Sequence, residues 1–444
     1  MTPIALLFLM TAAVAILTVP RRWAPVPLLA GACYMTLGQG IIIGGFHFYF
    51  IRLLLLVGLI RIFVRHERPH GGMLGMDWAF VLWAGWAILA SAFHNNPADT
   101  LQMHLGMVYN GLSIYFLFRC FVQTEEDIRK VLRITVWLLV PVALTMVYEQ
   151  TAHYNIFSVL GGINEVPIFR EGHIRSQGPF AHPILAGIVG GVCIPLMIGL
   201  WGYHPFIACV GLTACLGMVL TSHSSGPLIS LIFGLLALVL WHWRHWTRQL
   251  RWAALFGYML LELLMKAPAY YLITRIPMGG KAWHRADIID AGVNHINEWW
   301  FAGTDYTRHW MAYGVTWSPD HADITNHFLG QGVKGGLLLM LLFICFFWIG
   351  FRYVGQILQL WSHEPIKRQF LVWSLGASLF THMISCISVA YFDQSILFLY
   401  LTLALTANIY ARATGEVLST ETSTHEVSLH LKEERKPDTG GGER

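Results

Sequence analysis

Apolar runs of membrane-spanning length recur along almost the whole chain, at roughly 3–20, 25–45, 47–64, 77–93, 105–122, 131–148, 183–201, 203–221, 226–243, 251–273, 335–353, 369–390 and 394–411. A spanning helix needs about 20 mostly apolar residues, so this pattern dictates a stack of membrane helices. The runs are too long for the strands of a transmembrane barrel, which need only about ten residues of alternating character. Composition points the same way: 55% of residues are hydrophobic and 12% charged, against about 25% charged in soluble domains. The expected fold is an all-α polytopic membrane protein of about 12–13 transmembrane helices with a helical extracytoplasmic loop.

Cationic residues sort the connections into two sides. With the N-terminus outside, one set of loops collects Arg21 and Arg22; Arg61, Arg65 and Arg68; Arg119, Arg129, Lys130 and Arg133; Arg244, Arg248 and Arg251; Arg352, Lys367 and Arg368; and those from Arg412 onward. The short loops on the opposite side, near 44–46, 94–104, 222–225 and 391–393, hold none. Such an asymmetry marks the basic side as cytoplasmic. It also accounts for the net charge of +4 without any nucleic-acid partner. The first apolar run has neither a charged n-region before it nor a clear small-residue cleavage site after it, so it is expected as a retained span. None of the seven cysteines forms a CxxC pair, and they imply neither a disulfide framework nor a zinc site.

Two outer segments, 149–182 and 274–334, exceed ordinary connections of about 4–6 residues. Both carry cations against the bias: Arg170 and Arg175 in the first, and Arg275, Lys281, Arg285, Arg308 and Lys334 in the second. Beyond a membrane domain covering 1–411, residues 412–444 turn mostly into Thr, Ser, Glu, Lys and Gly, the composition of a disordered cytoplasmic tail. Arg52, Glu262 and Lys266 fall within or near span ends, where a charge suggests either function or snorkelling to the interface.

The outer segments hold the candidate chemistry. Residues 283–300 have Ile289, Val293, Ile296 and Trp300 at helical spacing, with Arg285 one turn before Ile289. This is an amphipathic helix whose arginine meets a lipid phosphate, a carboxylate or a ligand. Pro319 to His327 runs into a span. There Asp323 or Thr325 suits an N-cap, and Asp323 and His327, four apart, share a helix face. Either these are capping residues with a solvated histidine, or they form a general base beside the anion site that a helix start provides. Arg170 through Pro183 is a Gly/Pro loop entering the seventh span. Two segments thus bring guanidinium groups to one side of the membrane, near carboxylates and histidines, as a pyrophosphate site requires. No Walker glycine loop, HExxH, GxSxG or dinucleotide fingerprint is present.

The order of these segments resembles the O-antigen ligase and O-antigen polymerase superfamily of bacterial membrane glycosyltransferases. Thr221-Ser222-His223-Ser224-Ser225-Gly226-Pro227-Leu228 is similar to that family's Ser-Arg-Gly span entry, with Ser225 where an Arg is frequent. Arg285 followed by Ile296 to Gly303 resembles the Arg and the later Pro-x-x-Gly of its large outer loop, with Trp300 in place of Pro. Asn326-His327-Phe328-Leu329 with Gly336 resembles its His-Asn-x-x-Leu…Gly entry, with Thr325 where the ligases have a catalytic histidine. Arg175 through Gly178-Pro179-Phe180-Ala181-His182-Pro183 resembles the Arg-containing loop before a middle span. The likeness covers about 170–345 in the chain.

What the resemblance implies is a C-type, inverting, metal-independent glycosyltransferase of lipopolysaccharide or exopolysaccharide synthesis, needing no cofactor. The donor is a glycan on undecaprenyl pyrophosphate, and the acceptor a growing glycan or the lipid A core. Arg175 and Arg285 would take the pyrophosphate, with Arg170 and Arg308 as further cations and Asn326 and His182 as neighbouring binding residues. His327 or Asp323 would activate the acceptor hydroxyl. The expected location is the bacterial inner membrane, with the large loop periplasmic and the C-terminus cytoplasmic. A transporter or flippase of lipid-linked oligosaccharide is the alternative class. It predicts repeated halves and a site at the bilayer midplane, whereas no internal repeat is visible and the charges crowd into outer segments. A non-catalytic scaffold of the same fold is the third reading, favoured if Thr325 marks lost chemistry.

Overall fold

A computed structural model of the protein describes residues 1–275, 282–312, 314–315 and 318–434. Its helices are α1 (Pro3–Thr18), α2 (Pro25–Tyr34), α3 (Phe50–Arg65), α4 (Gly75–Ala90), α5 (Pro97–Phe121), α6 (Glu125–Ala152), α7 (Pro183–Gly199), α8 (Pro205–Thr221), α9 (Ser225–Val239), α10 (Thr247–Leu264), α11 (Ala282–Asn294), α12 (Ile296–Trp299), α13 (His327–Leu360), α14 (Ile366–Ser388) and α15 (Ile396–Glu434). Three short antiparallel hairpins complete it: β1 (Gly40–Ile43) with β2 (Phe46–Tyr49), β3 (Ile168–Arg170) with β4 (His173–Arg175), and β5 (Gly314–Val315) with β6 (Ser318–Ala322). Among the described residues, six helical stretches are long and apolar enough to cross a membrane, and three shorter apolar helices, α1, α7 and α8, accompany them. The chain is an all-helical, multi-pass membrane protein.

Side-chain bonds sort the loops into two ends. At one end Arg61 donates to the Val19 carbonyl (2.8 Å), Arg21 faces Asp127 (3.6 Å), and Arg368 pairs with Glu125 and Glu416. There too Arg119 and Asp77, both without exposed side-chain surface, form a two-pronged pair at 3.1 Å. The buried cations Arg61 and Arg119 are thus each paired with a carboxylate, Glu67 and Asp77, as buried charge requires. The other end gathers Thr2 on Gln39 (2.7 Å), Gln102 on the Gly45 carbonyl (2.6 Å), Asn95 on Asp305 (2.8 Å) and Ala181 on Asp393 (2.9 Å). Both long outer segments lie here, and the long helices run alternately between the ends. Their shared core draws on nearly every long helix, from Leu28 and Phe50 through Phe80, Phe118 and Leu139 to Phe343 and Leu403.

Helix α10 differs from its neighbours, because none of its residues is buried. It nevertheless leads back to the second end, where Glu262 accepts the Ala269 N–H (2.8 Å) and Tyr270 donates to Asp290 on α11 (2.8 Å). Glu262 is thereby explained as a cap for the following turn. Arg52 is held by Asn110 (3.0 Å) and the His47 carbonyl (2.7 Å), a structural role for a charge near a span end.

Two expectations are corrected. The apolar run 25–45 is not helical throughout: α2 stops at Tyr34, the chain reaches the opposite end by Gln39, and the rest of the run turns into the β1–β2 hairpin. Gly44 and Gly45 both adopt positive φ there, the geometry of a tight two-residue hairpin turn. On residues 283–300 the buried face is Ala286, Ile288, Ala291 and Trp299, while Val293, Ile296 and Trp300 are exposed. Within α11 the buried face runs through Ala286, Ile288 and Ala291 and leaves Val293 outside it, and the break between Asn294 and Ile296 resets the phase for Ile296 and Trp300. The last helix continues to Glu434, across most of the stretch whose composition suggests a tail; residues 435–444, like Lys281, lie outside the described residues.

Candidate functional site

Glu149, in the last turn of α6, is buried and accepts the backbone N–H groups of Gln177 (3.1 Å) and Gly178 (2.9 Å). Asn155 donates to the Gly178 carbonyl (2.9 Å), and Gln394 to that of Pro179 (3.0 Å). The turn after β4 is therefore pinned from several sides, and it carries Arg175 with it. Arg170, at the tip of the same hairpin, instead points outward and pairs with exposed Glu171 (3.2 Å).

Arg175 is 6% exposed and donates from Nη2 to Ser224 Oγ (2.6 Å), which in turn donates to the Ser222 carbonyl (2.8 Å). Arg285, on α11, donates from Nη2 to Ser225 Oγ (2.9 Å). Adjacent hydroxyls at the start of α9 thus hold two guanidinium groups from separate segments. Among the described residues neither arginine forms an ion pair, and the buried Nε of Arg175 has no hydrogen-bond partner. Burial disfavours the charge on both; at Arg175 the neighbouring cation of Arg170 adds to the effect, which Glu171 partly offsets. Cations left this way are costly unless an anion joins them. The start of α9 contributes positive partial charge at the same place. Beside it opens a cavity of about 230 Å³ lined in part by Gln150, Thr221, His223 and Ser224.

The acid–base groups lie alongside. His182 is the N-cap of α7, its Nδ1 accepting the Ile184 N–H (3.1 Å). Burial, with Arg175 as the next cause, pushes its pKa down to about 4, and Asp323 opposes that shift. The Asp323 carboxylate stands 3.6 Å from Nε2 of His284, the residue before Arg285 in the chain. The structure thus groups four residues singled out from sequence: Arg175, Arg285, His182 and Asp323.

Others lie elsewhere. Arg308 closes its own loop by donating to the carbonyls of Met311 (2.7 Å) and Ala312 (3.2 Å). Asn326 caps α13 by accepting the Leu329 N–H (3.1 Å). His327 turns inward at 6% exposure: Nδ1 accepts the Tyr391 N–H (3.1 Å) and the ring packs against Phe343 and Tyr391. Its lone pair is thereby occupied. The sequence pattern does not reveal the part played by Glu149, Ser224, Ser225 and His284. Glu149 reads as one charge at a span end, and the serines read as a helix entry.

The large outer segment is locked to α13 where that helix breaks. Gly335 and Gly336 depart from helical geometry, and Gly336 has φ +77°. Their space is taken by the chain at 300–304: Leu337 donates to the Trp300 carbonyl and Thr304 to that of Val333, each at 2.8 Å. A Cβ at Gly303 or Gly336 would run into opposing backbone. His94 clamps the same junction through Asp305 (2.5 Å) and the carbonyls of Ala302 (2.9 Å) and Lys334 (3.0 Å). Comparison with protein-family models and with curated proteins finds no match to the chain.

Proposed function

We propose that the protein is an inverting, metal-independent membrane glycosyltransferase of surface-polysaccharide assembly, similar to the O-antigen ligase and polymerase superfamily. In this reading the arginine end faces the periplasm, the opposite end the bacterial cytoplasm, and about 12–13 helices cross the inner membrane in a C-type glycosyltransferase-like arrangement. The observation that carries it is the pair of guanidinium groups, without an ion pair among the described residues, on Ser224 and Ser225 at the start of a helix. A diphosphate bridging them meets fork-shaped donors and helix N–H groups together.

The donor is a glycan on undecaprenyl pyrophosphate, its polyprenyl chain lying among apolar helix faces. The acceptor hydroxyl, on a growing glycan or on a lipid A core, attacks the anomeric carbon from the face opposite the pyrophosphate. The new C–O bond forms as the bond to phosphate oxygen breaks, and the electron pair leaves on the pyrophosphate. Arg175, Arg285 and the α9 N-terminus stabilise that developing charge, usually the largest contribution to such catalysis. The hydroxyl proton passes to the Asp323 carboxylate, which has His284 Nε2 3.6 Å away. His182, neutral and bound through Nδ1 to Ile184, offers its Nε2–H to a phosphate oxygen. Asp323 is favoured over His327 as base because the His327 lone pair is already taken.

A transporter of the same lipid would place its anion site near the middle of the bundle, whereas these arginines sit at one end. The deciding experiment incubates purified protein with an undecaprenyl-pyrophosphate oligosaccharide, with and without lipid A core, and reads products by gel mobility. A ladder of longer lipid-linked glycans without added acceptor identifies a polymerase, and transfer only to the core identifies a ligase. Unchanged substrate under both conditions overturns the enzyme reading in favour of transport or a scaffold.

A further inference from the structure

We infer that His295, Glu298 and His309 form a binding site for a divalent transition-metal ion, zinc by the character of its donors, which clips the outer segment closed. The three offer ligand atoms that all lie within 4.8 Å of one another. None belongs to the arginine site, and the inference is independent of the reaction proposed above.

Each ligand is already oriented by a second group, as metal-binding side chains generally are. His295 bonds through Nδ1 to the Ala291 carbonyl (2.9 Å), which fixes the proton there and leaves the Nε2 lone pair free. Glu298 receives the indole N–H of Trp310 on Oε2 (2.9 Å), and both its oxygens face His309 Nε2 (3.1 and 3.0 Å). The His309 ring stacks on Tyr306 at 5.0 Å, and its Nε2 lies 3.0 Å from the Glu298 carboxylate. Trp310, 8% exposed, stacks on His295 at 5.3 Å and bonds Glu298, while His309 meets its ring edge-on at 6.4 Å. Two imidazoles and one carboxylate with an open fourth position suit zinc, which takes His nitrogen at about 2.0–2.1 Å and carboxylate oxygen at about 2.0–2.2 Å. His309 and Glu298 are exposed, so small rotations bring the donors to those distances.

Zinc here would join the end of α11 and the start of α12 to the turn at 308–310. That closes the loop carrying Gly303 against α13. The metal therefore acts on loop order, and no reacting group is routed through it.

The test uses full-length protein in detergent, stripped with chelator and dialysed against zinc chloride, with bound metal measured by mass spectrometry. Wild type should retain one more zinc per chain than the His295→Ala/Glu298→Gln/His309→Ala variant. Trp310→Phe, which keeps the packing but removes the indole N–H, should weaken binding about 10–100-fold. Because the triple variant tests folding as well, a second measurement uses wild type alone: zinc should protect His295 and His309 from diethylpyrocarbonate, while other exposed histidines stay reactive. Equal zinc in wild type and variant, or unchanged labelling of both histidines, overturns the proposal.

Discussion

Arg285 on α11 donates to Ser225 on α9 across 2.9 Å. A cation from the large outer segment is thereby fixed by the first residue of a transmembrane helix. Arg285→Ala should leave the protein folded in the membrane and lower glycan transfer by about 10²–10³-fold, the effect of losing one preorganised donor to developing charge. Transfer assays on membranes with matched protein levels read this, and wild-type rates would remove Arg285 from the site. Arg285→Lys should recover only part of the loss, since an ammonium lacks the fork.

Asp323 and His327 separate the two candidate bases. Asp323→Asn should lower kcat by about 10²–10⁴-fold, the usual contribution of a positioned base. His327→Asn keeps an acceptor near the Tyr391 N–H and should retain transfer within about tenfold. The reverse order, in variants with unchanged thermal midpoints, would return the base role to His327.

Glu149 holds two buried N–H groups of the Arg175 loop. Glu149→Ala leaves both without acceptors, at about 1–3 kcal/mol each. The expected outcome is a lower thermal midpoint in detergent and a transfer rate as poor as that of Arg175→Ala. Glu149→Gln, with one carbonyl oxygen remaining, should fall between.

Acid should destabilise the fold through His182. Its folded pKa, about 4, lies below its ordinary value of 6.5. The unfolded chain therefore binds the extra proton first, and stability present above pH 6.5 is lost as pH falls toward 4. Protonation also takes the Nδ1 lone pair that caps α7. Thermal midpoints between pH 7 and 4 should fall less steeply in His182→Asn, which caps without titrating in this range. Identical slopes would show that other groups govern the acid loss.

Gly336 and Phe301 meet where α13 breaks. Gly336→Ala places a Cβ against the Phe301 carbonyl and demands φ +77° of an L-residue. A conformation of that kind alone costs about 1–3 kcal/mol. Both thermal midpoint and transfer should drop, with protease sensitivity rising within 296–312.

Legibility in the sequence followed the period and the solvent. Long apolar runs announce helices because lipid leaves the backbone no other partner, and their place against the charge bias marks Arg175 and Arg285. Neighbourhood was not legible: Arg308 has the same chemical type, yet it spends its donors on Met311 and Ala312. His327 resembles a base in spacing, but the Tyr391 N–H that occupies it comes from 64 residues away. Ser224 and Ser225 owe their part to two arginines from distant segments that donate to them. The break at Gly335 and Gly336 hides inside a run whose composition favours one continuous helix.

Helix α10 buries no residue of its own and leads through the 269–275 turn into α11, which bears Arg285. Hydrocarbon, rather than neighbouring protein, is what such a helix has to lean on. Bilayer thickness thus enters the placement of Arg285, and removal of lipid is expected to loosen α11 before the α9 start. Reconstitution in nanodiscs of graded acyl length becomes a way to shift the position of Arg285 from outside, with no substitution in the chain.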